Sequence, residues 1–176
     1  ATLGVTSIGS GFYHLEDMCA HLNIPCMNSS TYDKSQKKLQ KNWSELSDHH
    51  TKQALLDEIK IAKDRGDVDS AGNALITVIC DGSWGKRSYG KGYSSLSGSA
   101  AIIGANTKKV LYYGVKNKYC HICTMSYAKV CPPNEHECNI NYVGPSSGME
   151  TEILVEGFLF CEKLGARFPK IISDGD

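Results

Sequence analysis

The stretch that decides the fold is Leu75-Ile76-Thr77-Val78-Ile79-Cys80-Asp81-Gly82-Ser83-Trp84. Its apolar and β-branched beginning predicts a strand that ends at Asp81. No other acidic residue occurs between Gly82 and Asn134. Eight basic residues occupy that interval: Lys86, Arg87, Lys91, Lys108, Lys109, Lys116, Lys118 and Lys129. A single carboxylate at a strand end in a basic stretch suits metal-dependent chemistry on a phosphate backbone.

A second apolar run ends in the same way near the end of the sequence. Lys170–Ser173 predicts a strand that delivers Asp174, and Asp176 follows two residues later. Asp-Gly pairs are also common turns, so each acid alone is compatible with a simple turn after a strand. Taken together with the strand order below, they indicate a shared site, with either Asp174 or Asp176 as the second acid.

The 176 residues divide into two parts of different character. Residues 1–70 predict helices, and residues 71–176 predict strands at Ala74–Cys80, Ser94–Gly104 and Lys109–Val115, then a helix from Ser147 to Leu164, then the last strand. This β-β-β-α-β order is that of the first half of a ribonuclease H-like α/β core. A crossover helix makes the last strand parallel to the first, so their C-terminal ends, with Asp81 and Asp174, would lie side by side.

The N-terminal region contains a long stretch without Gly or Pro, from Tyr32 to Arg65. It predicts one long helix or two shorter ones, with Ser29-Ser30-Thr31 as the cap. Lys34, Lys37, Lys38 and Lys41 lie on its early turns. They could contact a nucleic acid backbone, although such a run is more often a solvated helix face.

Glu150 has two interpretations. Ser147-Gly148-Met149-Glu150 fits a capping box, in which the Ser and Glu side chains satisfy backbone N–H groups at a helix start. The same glutamate lies on the helix between the third and fourth strands, where a catalytic carboxylate of a ribonuclease H-like enzyme would be. We therefore expect Glu150 to join Asp81 and Asp174 in holding Mg²⁺ or Mn²⁺, which prefer oxygen ligands.

Residues 119–145 form an insertion between the third strand and the helix, rich in Cys, Pro and Asn. Cys120 and Cys123 form a Cys-x-x-Cys pair, and His136 and Cys138 follow at a spacing typical of a structural zinc site. Cys131 competes with His136 for the fourth place. The remaining cysteines, Cys19, Cys26, Cys80 and Cys161, lie in or beside apolar stretches and are predicted to be buried free thiols. Metal-ligating thiols favour a reducing compartment, the nucleus or cytosol.

Several motifs in this order resemble the Mutator-like transposase domain of animal DNA transposons. They are Asp81-Gly82-Ser83-Trp84, Asn117-Lys118-Tyr119-Cys120-His121-Ile122-Cys123, His136-Glu137-Cys138, Gly144-Pro145-Ser146-Ser147-Gly148-Met149-Glu150 and Ile172-Ser173-Asp174-Gly175-Asp176. Each motif is short, but their order and spacing are distinctive. The resemblance runs over the whole chain and is most specific from residue 75 onward.

The resemblance implies a transposase with a ribonuclease H-like core and a two-metal site for Mg²⁺ or Mn²⁺. It implies nuclear action on transposon ends and target DNA, in which one phosphodiester is hydrolysed and the 3′-OH is joined to target DNA by a homo-oligomer. By position, Asp81 and Asp174 match the family's first two acids. The family's last acid should lie downstream, so we expect the chain to be a piece of a longer protein and inactive alone.

Two other hypotheses compete with a catalytic transposase. One is a domesticated or decayed copy that binds DNA or protein without cutting. The other is a zinc-stabilised interaction module in which the strands are only a scaffold. In the module, loss of Cys120 or Cys138 would unfold the whole chain, whereas in the transposase the strand core could survive.

Overall fold

The computed structural model describes residues 1–85 and 95–173. The chain forms two compact units, Ala1–His50 and Thr51–Asp176. The boundary predicted from sequence at residue 70 marks the change from helical to strand-rich sequence and stays a prediction. In the described residues, no helix has the length and apolar character that a membrane span needs.

The first unit contains α1 (Thr2–Ser7), α2 (Phe12–His21) and the beginning of α3 (Ser29–Arg65). A small apolar cluster holds it together, made of the buried side chains Val5, Leu15, Cys19 and Tyr32. Pro25, which cannot continue a helix, follows the end of α2 at His21.

The stretch from Tyr32 to Arg65 forms one continuous helix, which decides between the two predicted alternatives. Its start differs from the prediction by one residue: the Asn28 side chain accepts a hydrogen bond from the Thr31 N–H at 2.8 Å. This is the bond of an N-cap residue, so Asn28 takes the role predicted for Ser29–Thr31. The later turns of α3 bury Leu55, Ile59 and Ala62 in the core of the second unit.

The second unit is built on a four-stranded mixed sheet. Its strands are β1 (Ala74–Trp84), β2 (Ser97–Gly104), β3 (Val110–Asn117) and β4 (Ala166–Ile172). They lie in the order β3-β2-β1-β4, with β1 antiparallel to β2, β2 antiparallel to β3, and β1 parallel to β4. This is the predicted meander followed by a parallel return. β1 continues three residues beyond Asp81, because residues 82–84 still pair with β2.

The return is made by α5 (Gly148–Lys163), which packs on one face of the sheet. It buries Met149, Ile153, Gly157 and Cys161, spaced four residues apart, so a single stripe faces the strands. The sequence of α5 has apolar residues on most sides, but the helix is not buried on most sides. Val155, Leu159 and Phe160 are 38 to 52% exposed, since they lie off that stripe.

The β2–β3 turn is fastened to α3 by a fully buried carboxylate. Glu58 accepts hydrogen bonds from the backbone N–H groups of Asn106 and Thr107 and from both of their side chains, at 2.7 to 3.1 Å. Its carboxylate occupies the space that a Cβ at Gly104 would need. A buried charge is tolerated here because hydrogen-bond donors surround it.

Candidate functional site

The four predicted zinc ligands come together in the insertion. The Sγ atoms of Cys120, Cys123 and Cys138 and a ring nitrogen of His136 all lie within 4.8 Å of one another. Nε2 of His136 is 3.3 Å from Sγ of Cys120 and 3.4 Å from Sγ of Cys123, and Sγ of Cys123 is 3.7 Å from Sγ of Cys138. Ligand atoms around a tetrahedral zinc with bonds of about 2.0 to 2.3 Å are separated by roughly 3.4 to 3.8 Å. The donor set and its spacing therefore fit zinc.

The surroundings prepare Cys120 and His136 for a metal. Nδ1 of His136 donates to the Asn134 carbonyl oxygen at 2.7 Å, which leaves Nε2 free to bind. Backbone N–H groups, first of Cys123 and then of Asn139, lower the pKa of Cys120 to about 6. Burial comes first among the causes that raise the pKa of Cys123 to about 11, followed by the neighbouring thiols of Cys138 and Cys120. One thiol thus ionises readily, and a bound cation would draw the proton from the other.

A short helix, α4 (His121–Ala128), begins directly after Cys120 and was not predicted. It buries none of its residues, so no periodic apolar signal marks it in the sequence. Cys120 stands at its N-cap position, next to the first backbone N–H groups of the helix. The Cys123 N–H of the helix start and the Asn139 N–H from the other end of the insertion together lower the pKa of Cys120.

Two other residues of the insertion, the competing ligand Cys131 and His121, lie outside the cluster. Cys131 is exposed. Nδ1 of His121 instead lies 3.2 Å from the hydroxyl oxygen of Tyr119, within hydrogen-bonding distance. Cys19, Cys80 and Cys161 are buried as predicted, Cys26 is half-buried, and all eight cysteines are free thiols.

Glu150 does not cap α5. The helix has no side-chain capping bond at Ser147, and the carboxylate of Glu150 is turned toward β1 instead. All three of its carboxylate atoms lie within 2.7 Å of the position that a Cβ at Gly82 would take. Burial, and next the charge of Glu150, raises the pKa of Cys80, which faces the same side of β1. Glu150 thus lies over the residue that follows Asp81.

Asp81 is exposed, at the point where the buried alternation of β1 stops. Neighbouring residues of a strand face opposite sides of a sheet, so Asp81 and Gly82 do not share a face. Beyond Ile79, the pairing of β1 among the described residues is with β2. Asp81 and Glu150 therefore flank the backbone of β1 from opposite faces of the sheet.

The predicted second acid, Asp174 or Asp176, lies outside the described residues. The described part of β4 ends in register with β1, with Thr77 opposite Lys170 and Ile79 opposite Ile172.

Two lysines of the basic stretch, Lys109 and Lys116, form ion pairs with acidic side chains. The buried side chain of Lys116 forms ion pairs with Glu152 at 2.8 Å and Glu156 at 2.6 Å, and Lys109 pairs with Asp57 at 3.0 Å. Lys86, Arg87 and Lys91 lie outside the described residues. Lys109 and Lys116 therefore do not contribute free positive charge to the surroundings of Asp81, because acids distant in sequence neutralise them.

Trp84 and the lysines between residues 34 and 41 differ in how far their side chains are buried. Trp84 is half-buried on the α5 side of β1, where its ring passes Gly98 near Met149. Part of its role is therefore packing.

The four lysines on the early turns of α3 are exposed, namely Lys34, Lys37, Lys38 and Lys41. Exposure is expected both for a solvated helix face and for a contact surface.

Sequence patterns missed the groups that join the insertion to the core. Asn141, Lys118 and Ser146 make hydrogen bonds that fasten its end. Lys118 and Ser146 lie in two of the motifs quoted above, but those motifs did not indicate this role, and Asn141 lies in none of them. The sequence signal that could have found them is position, since each lies close to a boundary of the insertion.

Comparison with known families gives one finding, and searches of curated proteins and of solved structures gave no match. A family model described as Mutator-like transposase matches residues 1–176, the whole chain. The chain therefore belongs to the Mutator-like transposase family.

Proposed function

We propose that this chain carries the divalent-metal site of a DNA transposase that hydrolyses a phosphodiester and then joins the 3′-OH end to target DNA. Asp81, Glu150 and Asp174 would hold the ions. Family membership supports a transposase-related function. The observation that carries the catalytic proposal is the parallel register of β1 and β4, in which the residues that lie opposite each other from Thr77 to Ile79 are 93 positions apart, as Asp81 and Asp174 are.

The strand pairing supports a ribonuclease H-like core. The order β3-β2-β1-β4, with a parallel β1–β4 pair and α5 as the crossover, is the arrangement that such a core begins with. From Thr77 to Ile79, each residue of β1 faces the residue 93 positions later in β4. Asp81 and Asp174 are separated by the same number of residues. This agreement supports the proposal that both acids serve one site.

The chemistry of the donors fits Mg²⁺ or Mn²⁺. Carboxylate oxygens suit hard cations, and Asp81 is exposed to solvent. When bound, two such ions activate a water molecule and stabilise the leaving oxygen of a phosphodiester. The protein residues would orient the ions, and Gly82 leaves space for the Glu150 carboxylate.

DNA is the partner that this chemistry requires, and it would place the protein in the nucleus. The exposed lysines of α3 are candidates for contacts to the phosphate backbone. Strand transfer on two transposon ends further leads us to propose a homo-oligomer. Zinc in the Cys120, Cys123, His136 and Cys138 cluster would be structural, because all four positions of a tetrahedron are filled by protein ligands.

The first test is Mn²⁺ binding, followed by electron paramagnetic resonance. Asp81→Asn and Glu150→Gln should each weaken Mn²⁺ binding by at least about tenfold, because each removes a charged ligand. The control is Asp64→Asn, an exposed acid on α3. Equal Mn²⁺ binding by Asp81→Asn and by the unaltered chain would exclude the catalytic proposal.

A second test uses the contact between Glu150 and Gly82. In Gly82→Ala, the new methyl group would displace the Glu150 carboxylate. The flexible end of that side chain can move at little cost in stability, so we expect weaker Mn²⁺ binding with a nearly unchanged melting temperature. Ser83→Ala is the neighbouring control. Unchanged Mn²⁺ affinity in Gly82→Ala would show that Glu150 is not a ligand.

The competing function is a domesticated module that binds DNA without cutting it. The complete zinc cluster favours it specifically, since the cluster could order a binding surface without the acids. A labelled DNA duplex separates the two. The catalytic site predicts DNA binding that Mn²⁺ strengthens and that Asp81→Asn weakens, whereas the module predicts equal DNA binding by both proteins with and without Mn²⁺.

A further inference from the structure

The end of the zinc insertion is fastened to β3 before the chain enters α5. The Asn117 N–H donates to the side-chain oxygen of Asn141 at 2.6 Å, and the Asn141 side-chain amide donates to the Val115 carbonyl oxygen at 2.9 Å. The Asn141 N–H also donates to the Asn117 carbonyl oxygen at 3.0 Å. Asn141 therefore holds the chain to the end of β3, three residues after the zinc ligand Cys138.

A second fastening follows at Ser146. Nζ of Lys118 donates to Oγ of Ser146 at 2.9 Å and to the Gly144 carbonyl oxygen at 3.3 Å. Ser146 is buried, and its hydroxyl donates to the Ser95 carbonyl oxygen at 2.6 Å. Lys118 comes just before the zinc ligand Cys120, where the chain enters the insertion. Its hydrogen bonds reach Gly144 and Ser146, where the chain leaves the insertion.

Tyr142 restricts the backbone between Asn141 and Ser146. Its hydroxyl donates to the Pro145 carbonyl oxygen at 2.9 Å. A Cβ at Gly144 or Gly148 would come within 2.7 Å of that hydroxyl oxygen. The route from Asn141 to the start of α5 is therefore defined by close contacts on both sides.

The start of α5 depends on this route because it has no capping side chain of its own. Met149 is fully buried and Glu150 follows it directly. The insertion contributes little apolar packing, since α4 buries none of its residues. Ligation at Cys120, Cys123, His136 and Cys138 would therefore bring the entrance and the exit of the insertion together.

We propose that Lys118 and Asn141 are positioning residues that couple the folded zinc cluster to Glu150. In this arrangement the zinc cluster sets the first turn of α5, and so regulates the affinity of the carboxylate site for divalent ions. The last step rests on the function proposed above. The coupling between the insertion and the helix start does not.

The test compares Lys118→Met with Lys118→Arg, and uses Lys129→Met, an exposed lysine of the same insertion, as the control. Three quantities are measured: zinc per chain, hydrogen exchange at the amides of Met149–Thr151, and Mn²⁺ affinity. Lys118→Met should keep one zinc per chain, because the ligands are intact. In Lys118→Met, hydrogen exchange at the amides of Met149–Thr151 should be about tenfold faster and Mn²⁺ binding about tenfold weaker. These are the effects expected from the loss of a charged hydrogen bond.

Lys118→Arg retains a donor for Ser146 and Gly144 and should restore both quantities, and Lys129→Met should change neither. Asn141→Ala should act like Lys118→Met, and Cys138→Ser should lose zinc and speed exchange at the same amides. Unchanged exchange at Met149–Thr151 in both Lys118→Met and Cys138→Ser would overturn the coupling. Absence of Mn²⁺ binding in the unaltered chain would refute the proposed function, while the exchange measurement would still decide the coupling.

Discussion

The strand core and the zinc insertion of the second unit are ordered by different forces. In the core, Ile76, Val78, Ile102, Leu111 and Ile153 are at most 1% exposed. In the insertion, Tyr127 is 80% and Val130 94% exposed. The core is thus held by apolar burial, which is distributed over many side chains. The insertion relies on four ligand atoms, so its order should depend on a single ion.

Removal of one zinc ligand should give the largest difference in stability between the insertion and the strand core. Cys138→Ser should eliminate most of a zinc-binding free energy that is about 10 to 16 kcal/mol in small zinc domains. Amides of residues 119–145 should lose protection from hydrogen exchange, while those of β1, β2 and β3 keep it.

Cys131→Ser is the control, because Cys131 is exposed and outside the cluster. Global unfolding of Cys138→Ser would favour the interaction module, in which the strands depend on the zinc site.

A substitution in the strand core should lower the unfolding free energy without removing zinc from the insertion. Ile153 is fully buried on α5 and packs against Gly114 of β3. Ile153→Ala should cost about 2 to 5 kcal/mol of unfolding free energy, because it leaves a cavity. Denaturant unfolding measures this cost, and zinc content should remain one per chain.

Val155→Ala on the same helix is the matched control. Its side chain is 49% exposed, so it should cost well under half as much. Equal costs for the two variants would contradict the single buried stripe of α5.

A polar contact inside the core gives a third, smaller effect. Glu58→Ala removes the acceptor of four hydrogen bonds from Asn106 and Thr107. The expected loss is about 2 to 3 kcal/mol, since two backbone N–H groups lose their partner. Thermal unfolding is the measurement, with Glu45→Ala on an exposed part of the same helix as the control. A loss no larger than that of the control would show that the turn does not need this carboxylate.

The smallest effect is expected at the ion pairs between β3 and α5. Lys116→Met leaves Glu152 and Glu156 without their partner, but both side chains are almost half exposed and can be hydrated. We expect a loss of about 1 kcal/mol or less. Unfolding at low and at high salt measures it, because screening should reduce the difference between the variant and the unaltered chain. A loss that is large and independent of salt would identify Lys116 as part of the core instead.

Local patterns in the sequence predicted the elements with strong periodicity. β1 begins at the predicted residue, α3 is continuous over the predicted stretch, and β4 returns parallel to β1. The spacing of Cys120, Cys123, His136 and Cys138 likewise indicated one cluster. Weakly patterned segments were harder: α4 has no buried face, and β4 begins at Ala166, four residues before the predicted start.

The sequence by itself determined the order of the strands along the chain and indicated the Cys and His residues of one cluster, because periodicity and ligand spacing are properties of short segments. Tertiary structure decided that Glu150 approaches Gly82 instead of capping its helix. It also decided that α5 buries a single stripe and that Lys116 is neutralised by α5. The physical reason is the same in each case: these outcomes depend on which side chains meet across tens of residues, and only the packed fold brings those groups within contact distance.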